Sequence, residues 1–243
     1  MAGVLILGAN SDIAIALADV YATKGYSLIL ASRGEEQLNT TASQLKEKYN
    51  AEVEVHQFDA TKFDEHDSFL EAIKTPYEIV VCAFGAAYKN DKSLEEFELT
   101  KEVIDVNYTG AVSILNEIAQ NFKAKQSGSI VGISSVAGEK GRQTNVIYCS
   151  AKAGFTAYLQ GLRNYLYAHK VHVLTVNPGY VDTKMTAGMD TPGWATASPQ
   201  LVAKRIFKAQ QRKKNVLYVK SIWRLIMWVI RSIPEWIFKR MKL

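Results

Sequence analysis

The sequence predicts an α/β fold, a doubly wound parallel sheet with helices on both faces and an amphipathic C-terminal extension. Three observations carry this reading. Short apolar runs of strand length alternate with segments of helical period along most of the chain, the pattern of right-handed βαβ crossovers. The 243 residues contain no repeat, no Pro/Ser-rich linker and no low-complexity segment, so they form one large domain. The residues able to do chemistry fall just after the apolar runs, where such sheets bind ligands.

Val4–Leu7 is a short apolar run closed by Gly8, and Ile13–Lys24 has helical period up to Gly25. Ser27–Ser32 is a second strand, Glu35–Tyr49 an amphipathic helix and Glu52–Phe58 an alternating strand. Phe63–Lys74 reads as a helix ended by Pro76, and Glu78–Ala83 as a buried strand. The polar stretch around Asn90-Asp91 reads as a loop, and Thr100–Lys125 as one long helix ended by Ser127-Gly128. Ser129–Ser134, Val171–Val176 and Val216–Val219 are strands; Val146–Ala168 and Leu201–Arg212 are helices. The domain spans 1–220, and 221–243 form a separate basic tail.

Composition narrows the class. Apolar residues make up 48% and charged residues 22%, as in an ordinary globular protein. The start of the chain, Met1 to Gly8, lacks a basic segment and a cleavage site and reads as a strand, not a signal peptide. Cys82 and Cys149 stand in apolar surroundings without a C-x-x-C spacing, as reduced thiols of a cytoplasmic protein. His56, His66, His169 and His172 have no ligand spacing, so no metal is expected. Residues 201–243 hold 12 Lys/Arg against the single acid Glu235, whereas the first 200 residues are net negative.

Gly8-Ala9-Asn10-Ser11-Asp12-Ile13-Ala14 joins the first strand to the first helix. Gly8, Asn10, Ser11, Asp12 and Ile13 are candidate phosphate ligands, since a glycine turn before a helix offers free N–H groups and a positive dipole end. The plainer reading is a turn capped by Ser11. At the second strand's end, Ser32-Arg33 stand where dinucleotide-binding units carry an acid for the ribose hydroxyls. A guanidinium there suits a 2′-phosphate, so NADP(H) is preferred over NAD(H); the rival reading is an exposed loop arginine. Asp59, with Ala60, follows the third strand and can accept from an adenine amino group or cap the next helix. Ala83 and Gly85 follow the fourth strand and let the backbone approach a cofactor.

Tyr148 and Lys152, at i and i+4, share one helix face. An ammonium so placed can hold down the pKa of a phenol, which then exchanges a proton with an alcohol or carbonyl oxygen. Spacing alone is weak evidence: about one such pair is expected by chance, and Tyr88/Lys92 and Tyr180/Lys184 match too. Only Tyr148/Lys152 has a serine thirteen residues upstream, Ser135, at a strand end. Asn107 is a poor mid-helix residue that can open the helix and hold a water, or simply be satisfied by the backbone. Asn177-Pro178-Gly179 makes a tight turn that presents Val181 and Thr183 to a nicotinamide, and 185–198 is a candidate lid.

Together these residues resemble the short-chain dehydrogenase/reductase superfamily over about residues 3–220. The resemblance implies a Rossmann-like sheet of about seven strands in the order 3-2-1-4-5-6-7, a homodimer or homotetramer, and a small carbonyl or alcohol substrate. It implies Asn107, Ser135, Tyr148 and Lys152 as catalytic residues: Tyr148 donates the proton, Lys152 lowers its pKa and reaches the ribose, Ser135 polarises the carbonyl, and Asn107 holds a water. Pro178, Gly179, Val181 and Thr183 join Tyr148 and Lys152 as cofactor contacts. Two motifs depart from the family. The phosphate loop T-G-x-x-x-G-x-G keeps only Gly8, with Asp12 and Ala14 in place of the later glycines, and Cys82-Ala83-Phe84-Gly85 replaces Asn-Asn-Ala-Gly. A carboxylate at Asp12 would repel a pyrophosphate, so it is expected to turn toward backbone N–H groups.

The tail is apolar around most of a helix, with Lys220, Arg224 and Arg231 on one narrow stripe. Its longest uncharged run is too short to span a bilayer. Tryptophan beside Arg and Lys suits a helix lying in a membrane interface, peripheral on the inner face; the alternative is packing over the substrate pocket or a dimer partner. A membrane contact would favour a hydrophobic or lipid-linked substrate. A second function class, a non-catalytic dinucleotide sensor or scaffold, is motivated by the altered loop. Nucleic-acid binding is not expected, because the aromatic residues interleave with apolar ones.

Overall fold

A computed structural model describes residues 3–242; Met1 and Ala2 lie outside the described residues. Seven parallel strands, β1 (Gly3–Leu7), β2 (Ser27–Ser32), β3 (Val53–Gln57), β4 (Ile79–Cys82), β5 (Gly128–Ile133), β6 (Val171–Asn177) and β7 (Val216–Tyr218), form one sheet in the order β3-β2-β1-β4-β5-β6-β7. Every residue of β1 and β4 is buried. Strands apolar on both faces need cover on both. On one face α1 (Asp12–Thr23), α2 (Glu35–Tyr49) and α8 (Pro199–Gln211) bury Val4, Ile6, Leu28 and Leu30. On the other, α3 (His66–Ala72), α6 (Gly110–Lys125) and α7 (Val146–Tyr167) bury Leu5, Leu7, Ile29 and Val80. The alternation along β1 and β2 follows from the two-residue period of a strand.

Chain order reverses at β1, which pairs with β2 on one side and β4 on the other. That reversal opens a crevice at the carboxyl ends of the strands.

The chain departs from its sequence pattern in three places. The expected loop at Asn90-Asp91 is a helix, α4 (Asn90–Glu95). The expected helix Phe63–Lys74 is a 3₁₀ turn, Phe63–Glu65, followed by α3. The expected long helix is α5 (Phe97–Ile104), a π-helical turn at Asp105–Thr109, and α6. Asn107 sits inside that wide turn, and its Nδ2 donates to the Val103 carbonyl at 2.8 Å, competing with the backbone ladder.

The tail is α9 (Ile222–Ser232) and α10 (Glu235–Phe238). Trp223 and Met227 of α9 are buried with Val136 and Ala195, and Tyr180 and Tyr218 pack around them. Among the described residues no helix is long and apolar enough to cross a membrane.

Candidate active site

The crevice holds a cavity of about 610 Å³, a size that takes a cofactor or a drug-sized ligand. Gly8 follows β1 beside it with φ +82, and a Cβ there would lie 2.5 Å from the amide nitrogen of Phe84. Only glycine fits both constraints. Ser11 caps α1 by accepting from the Ala14 amide at 3.3 Å. The amides of Asp12 and Ile13, in the first turn, have no acceptor within the helix. Asn10 Nδ2 donates to the Gly34 carbonyl at 2.8 Å, while its Oδ1 is buried without a partner.

Asp12 Oδ2 accepts from the backbone amide of Lys184 at 2.8 Å. The carboxylate does turn to a backbone N–H, one 172 positions away, at the start of the 3₁₀ turn Lys184–Thr186 after β6.

Ser32, Arg33, Asp59 and Ala60 sit beyond the walls of the main cavity, at the ends of β2 and β3. The Ser32 carbonyl accepts from the Phe58 amide at 3.0 Å, and Arg33 is exposed. Burial pushes the Asp59 carboxyl up, but hydrogen bonds from the Thr61 amide (3.0 Å) and Thr61 Oγ1 (2.8 Å), with the Arg33 charge, hold it below the usual range. Asp59 thus caps the turn before α3 and leaves one carboxylate oxygen outside that cap. Ala60 is buried, and its carbonyl lies 2.1 Å from where a Cβ on Gly110 would stand. Gly110 lets α6 approach that closely.

Ser135, Tyr148 and Lys152 line one stretch of the cavity. Ser135 follows β5 and caps a 3₁₀ turn, Val136–Glu139, through the Ala137 amide at 3.1 Å. Neighbouring Ser134 points into the protein and bonds the Lys152 carbonyl (3.1 Å) and Thr156 Oγ1 (2.7 Å), bracing α7 against β5. Tyr148 occupies the first turn of α7. Burial of its hydroxyl pushes the phenol up to about 12, with a hydrogen bond to Ser135 acting the other way.

Lys152 is 4% exposed, and its Nζ donates to the Ile133 carbonyl at 3.2 Å. Burial pushes the ammonium down to about 8, opposed by Cys82. Its Nζ lies 5.8 Å from the Tyr148 ring centroid. Burial is the largest cause of the phenol's shift, and the ammonium is anchored to β5 by its bond to the Ile133 carbonyl.

Asn107 does not line the cavity but lies directly behind it. Its Nδ2 also donates to the Ala86 carbonyl at 2.7 Å, and its buried Oδ1 has no partner. A Cβ on Gly85 would stand 2.9 Å from that oxygen and 3.6 Å from Lys152 Nζ. Gly85 therefore leaves a small polar gap between Asn107 and Lys152.

Asn10, Ser11, Asp12, Ile13, Ala83 and Gly85 line one side of the cavity, and Pro178, Gly179, Val181 and Thr183 the other. The Pro178 carbonyl accepts from the Val136 amide at 3.0 Å, joining the turn to the Ser135 loop. Sequence reasoning missed Phe84, Val136, Arg142, Trp223 and Ile230, all in the cavity wall. Trp223 lies against Gly179, where a Cβ would be 1.9 Å from the indole, and its Nε1 donates to the Ala195 carbonyl at 3.0 Å. The tail thus packs over the pocket.

Residues 2–192 match the sequence pattern of the short chain dehydrogenases. An uncharacterised oxidoreductase of Mycobacterium tuberculosis is 30% identical over 99% of this chain and 97% of its own length. Among solved structures, a short-chain dehydrogenase from Sphingobium yanoikuyae in complex with NADPH superposes with a TM-score of 0.84 at 23% identity, covering 97% of each chain. A bulky-bulky ketone specific alcohol dehydrogenase from Comamonas testosteroni gives a TM-score of 0.81 at 22% identity, over 97% of this chain and 96% of that one. The seven-stranded sheet agrees with these structures, and the length of the sequence match decides the family: this chain belongs to the short-chain dehydrogenases, a family of oxidoreductases.

Proposed function

We propose that this protein interconverts a ketone and a secondary alcohol using NADP(H), and that Ser135, Tyr148, Lys152 and Asn107 do the protein's share of the chemistry. The observation that carries the reading is the convergence of Ser135, Tyr148 and Lys152 on one cavity wall, with the unpartnered Asn107 Oδ1 behind it.

The residues fit a dinucleotide. The capped N-terminus of α1 and the close approach at Gly8 form a cradle suited to phosphates, and the unpartnered Asn10 Oδ1 can accept from a ribose hydroxyl. Gly8, Asn10, Ser11 and Ile13 would hold the phosphates, Ser32 and Arg33 a 2′-phosphate, Asp59 and Ala60 the adenine. Ala83, Gly85, Pro178, Gly179, Val181 and Thr183 would hold the remainder. When bound, the dinucleotide supplies or receives the hydride.

Tyr148, with its pKa near 12, stays protonated at neutral pH and is the proton donor for reduction. Donation to a developing alkoxide, a stronger base than a phenolate, is downhill. Ser135 donates to the same oxygen and orients it. Lys152, still largely cationic at neutral pH, places positive charge beside Tyr148 and favours the phenolate left behind. Asn107 Oδ1 can bind a water that returns a proton through Lys152.

The wall formed by Phe84, Ile133, Val136, Met185, Trp223 and Ile230 favours a bulky, apolar substrate. Homodimer or homotetramer assembly remains part of this reading, as does 1–220 as the catalytic unit. A panel of bulky ketones, followed by NADPH consumption, tests it. Tyr148→Phe should lose about 10²–10⁴-fold in rate while still binding NADPH. Equal turnover in the variant would remove Tyr148 as the proton donor, and NADPH binding with no turnover by the wild type would favour the sensor reading.

A further inference from the structure

Four tryptophans occur in the chain, and all fall between residues 194 and 236. Trp223 is 5% exposed, but Trp194, Trp228 and Trp236 are 65%, 67% and 61% exposed. A soluble monomer rarely leaves such side chains bare in one region. The helical period explains the division within α9. Trp223, Ile226, Met227 and Ile230 turn inward to the pocket wall and its surroundings, while Leu225, Trp228 and Val229 turn outward and are about half exposed or more. α10 adds Trp236 and Ile237, both exposed. Lys220 Nζ donates to the Trp194 carbonyl at 2.8 Å, which ties the lid segment carrying Trp194 to the head of α9.

Charge selects what covers this face. Exposed Arg224, Lys239 and Arg240 accompany the apolar residues, while Arg231 lies 3.6 Å from Glu139, Lys220 donates to the Trp194 carbonyl and Lys242 lines the cavity. Glu235, the one acid of the tail, is paired with Lys140 at 3.0 Å. A second copy of the chain seated symmetrically on this face would bring the same cations together. An anionic lipid surface accepts both the tryptophans and the cations. Met185 and Met189 are exposed at the cavity's edge, and Ile230 and Lys242 line the same cavity, so the mouth opens beside this face.

We propose that the outer face of α9 and α10, with Trp194, seats the protein on an anionic membrane surface and sets the mouth of the pocket against it. This docking stands on the tail and lid alone and does not require the oxidoreductase reading.

The test is flotation of the full chain with vesicles of phosphatidylcholine, alone or mixed with phosphatidylglycerol. The chain should float with the mixed vesicles and on the order of tenfold less with phosphatidylcholine alone. The double substitution Trp228→Ser/Trp236→Ser should lower binding to mixed vesicles by about tenfold or more. So should Lys239→Glu/Arg240→Glu, a second variant made wholly at exposed positions. Both variants should keep the wild-type circular dichroism and NADPH titration, which separates loss of docking from loss of the fold or of the cofactor site. The proposal is overturned if the wild type stays at the bottom with mixed vesicles, or if both variants float as the wild type does. It is also overturned if mass measurement shows a dimer that Trp228→Ser/Trp236→Ser dissociates without any vesicle binding.

Discussion

The Asp12 carboxylate accepts the backbone amide of Lys184 at 2.8 Å across the mouth of the crevice. The bond joins the N-terminus of α1 to the segment that follows β6. It also occupies an oxygen that would otherwise add to the negative charge facing a pyrophosphate. Asp12→Ala should free the segment, and trypsin should cut after Lys184 about tenfold faster, in line with loss of one charge-assisted hydrogen bond. Asp12→Asn keeps an acceptor and removes the charge, so proteolysis should stay near the wild-type rate while NADPH binds more tightly. Equal cleavage of all three proteins would show that this bond does not hold the segment.

Asn107 should be costly to remove for structural reasons as well as chemical ones. Asn107→Ala leaves the Ala86 and Val103 carbonyls without their side-chain donor. A loss of about 1–3 kcal/mol in urea unfolding is expected. If the water it holds feeds Lys152, turnover should fall beyond that, with NADPH affinity unchanged.

Gly179→Ala should undock the tail. The added methyl would meet the Trp223 indole at 1.9 Å, and that ring is fixed by its bond to Ala195. The ring must leave its site, so Trp223 emission should shift to the red and the tail should become sensitive to protease. An unshifted spectrum would mean that the turn, not the tail, moves aside.

The pH profile of reduction should report Lys152. Its pKa is lowered by burial to about 8, so the ammonium is present below that pH and lost above it. Tyr148, raised to about 12, remains a proton donor throughout the range. The rate should therefore fall as pH rises through about 8, and Lys152→Met should abolish this inflection along with most activity. Persistence of the inflection in the variant would assign it to another group.

How much of this was legible from sequence follows the range of the interactions. The strands and most helices carry local periodicity, and Ser27–Ser32 and Glu35–Tyr49 are bounded as expected. Ser135 and Tyr148 were recognisable because each stands at a strand end or helix start. α4 was missed because a six-residue stretch with Leu94 as its one apolar residue carries no apolar period. The π-helical turn was half visible: Asn107 marked the weak point, but not the width of the opening. Asp12 and Lys184, or Gly179 and Trp223, meet only through the tertiary fold, and no local pattern links them. The tail's direction was also hidden. A helix apolar nearly all round does not say which side faces the protein, and the bulk of Trp223 against Gly179 decides it.

The central claim, that this crevice binds NADP(H) for redox chemistry, is tested most directly by titrating NADPH and NADH against wild type and Arg33→Ala while following the fluorescence of the reduced nicotinamide. Saturable NADPH binding by the wild type is expected, weakened about tenfold or more in Arg33→Ala through loss of a charge-assisted contact to the 2′-phosphate, with NADH binding little changed. Absence of binding of either dinucleotide to the folded wild type would contradict it.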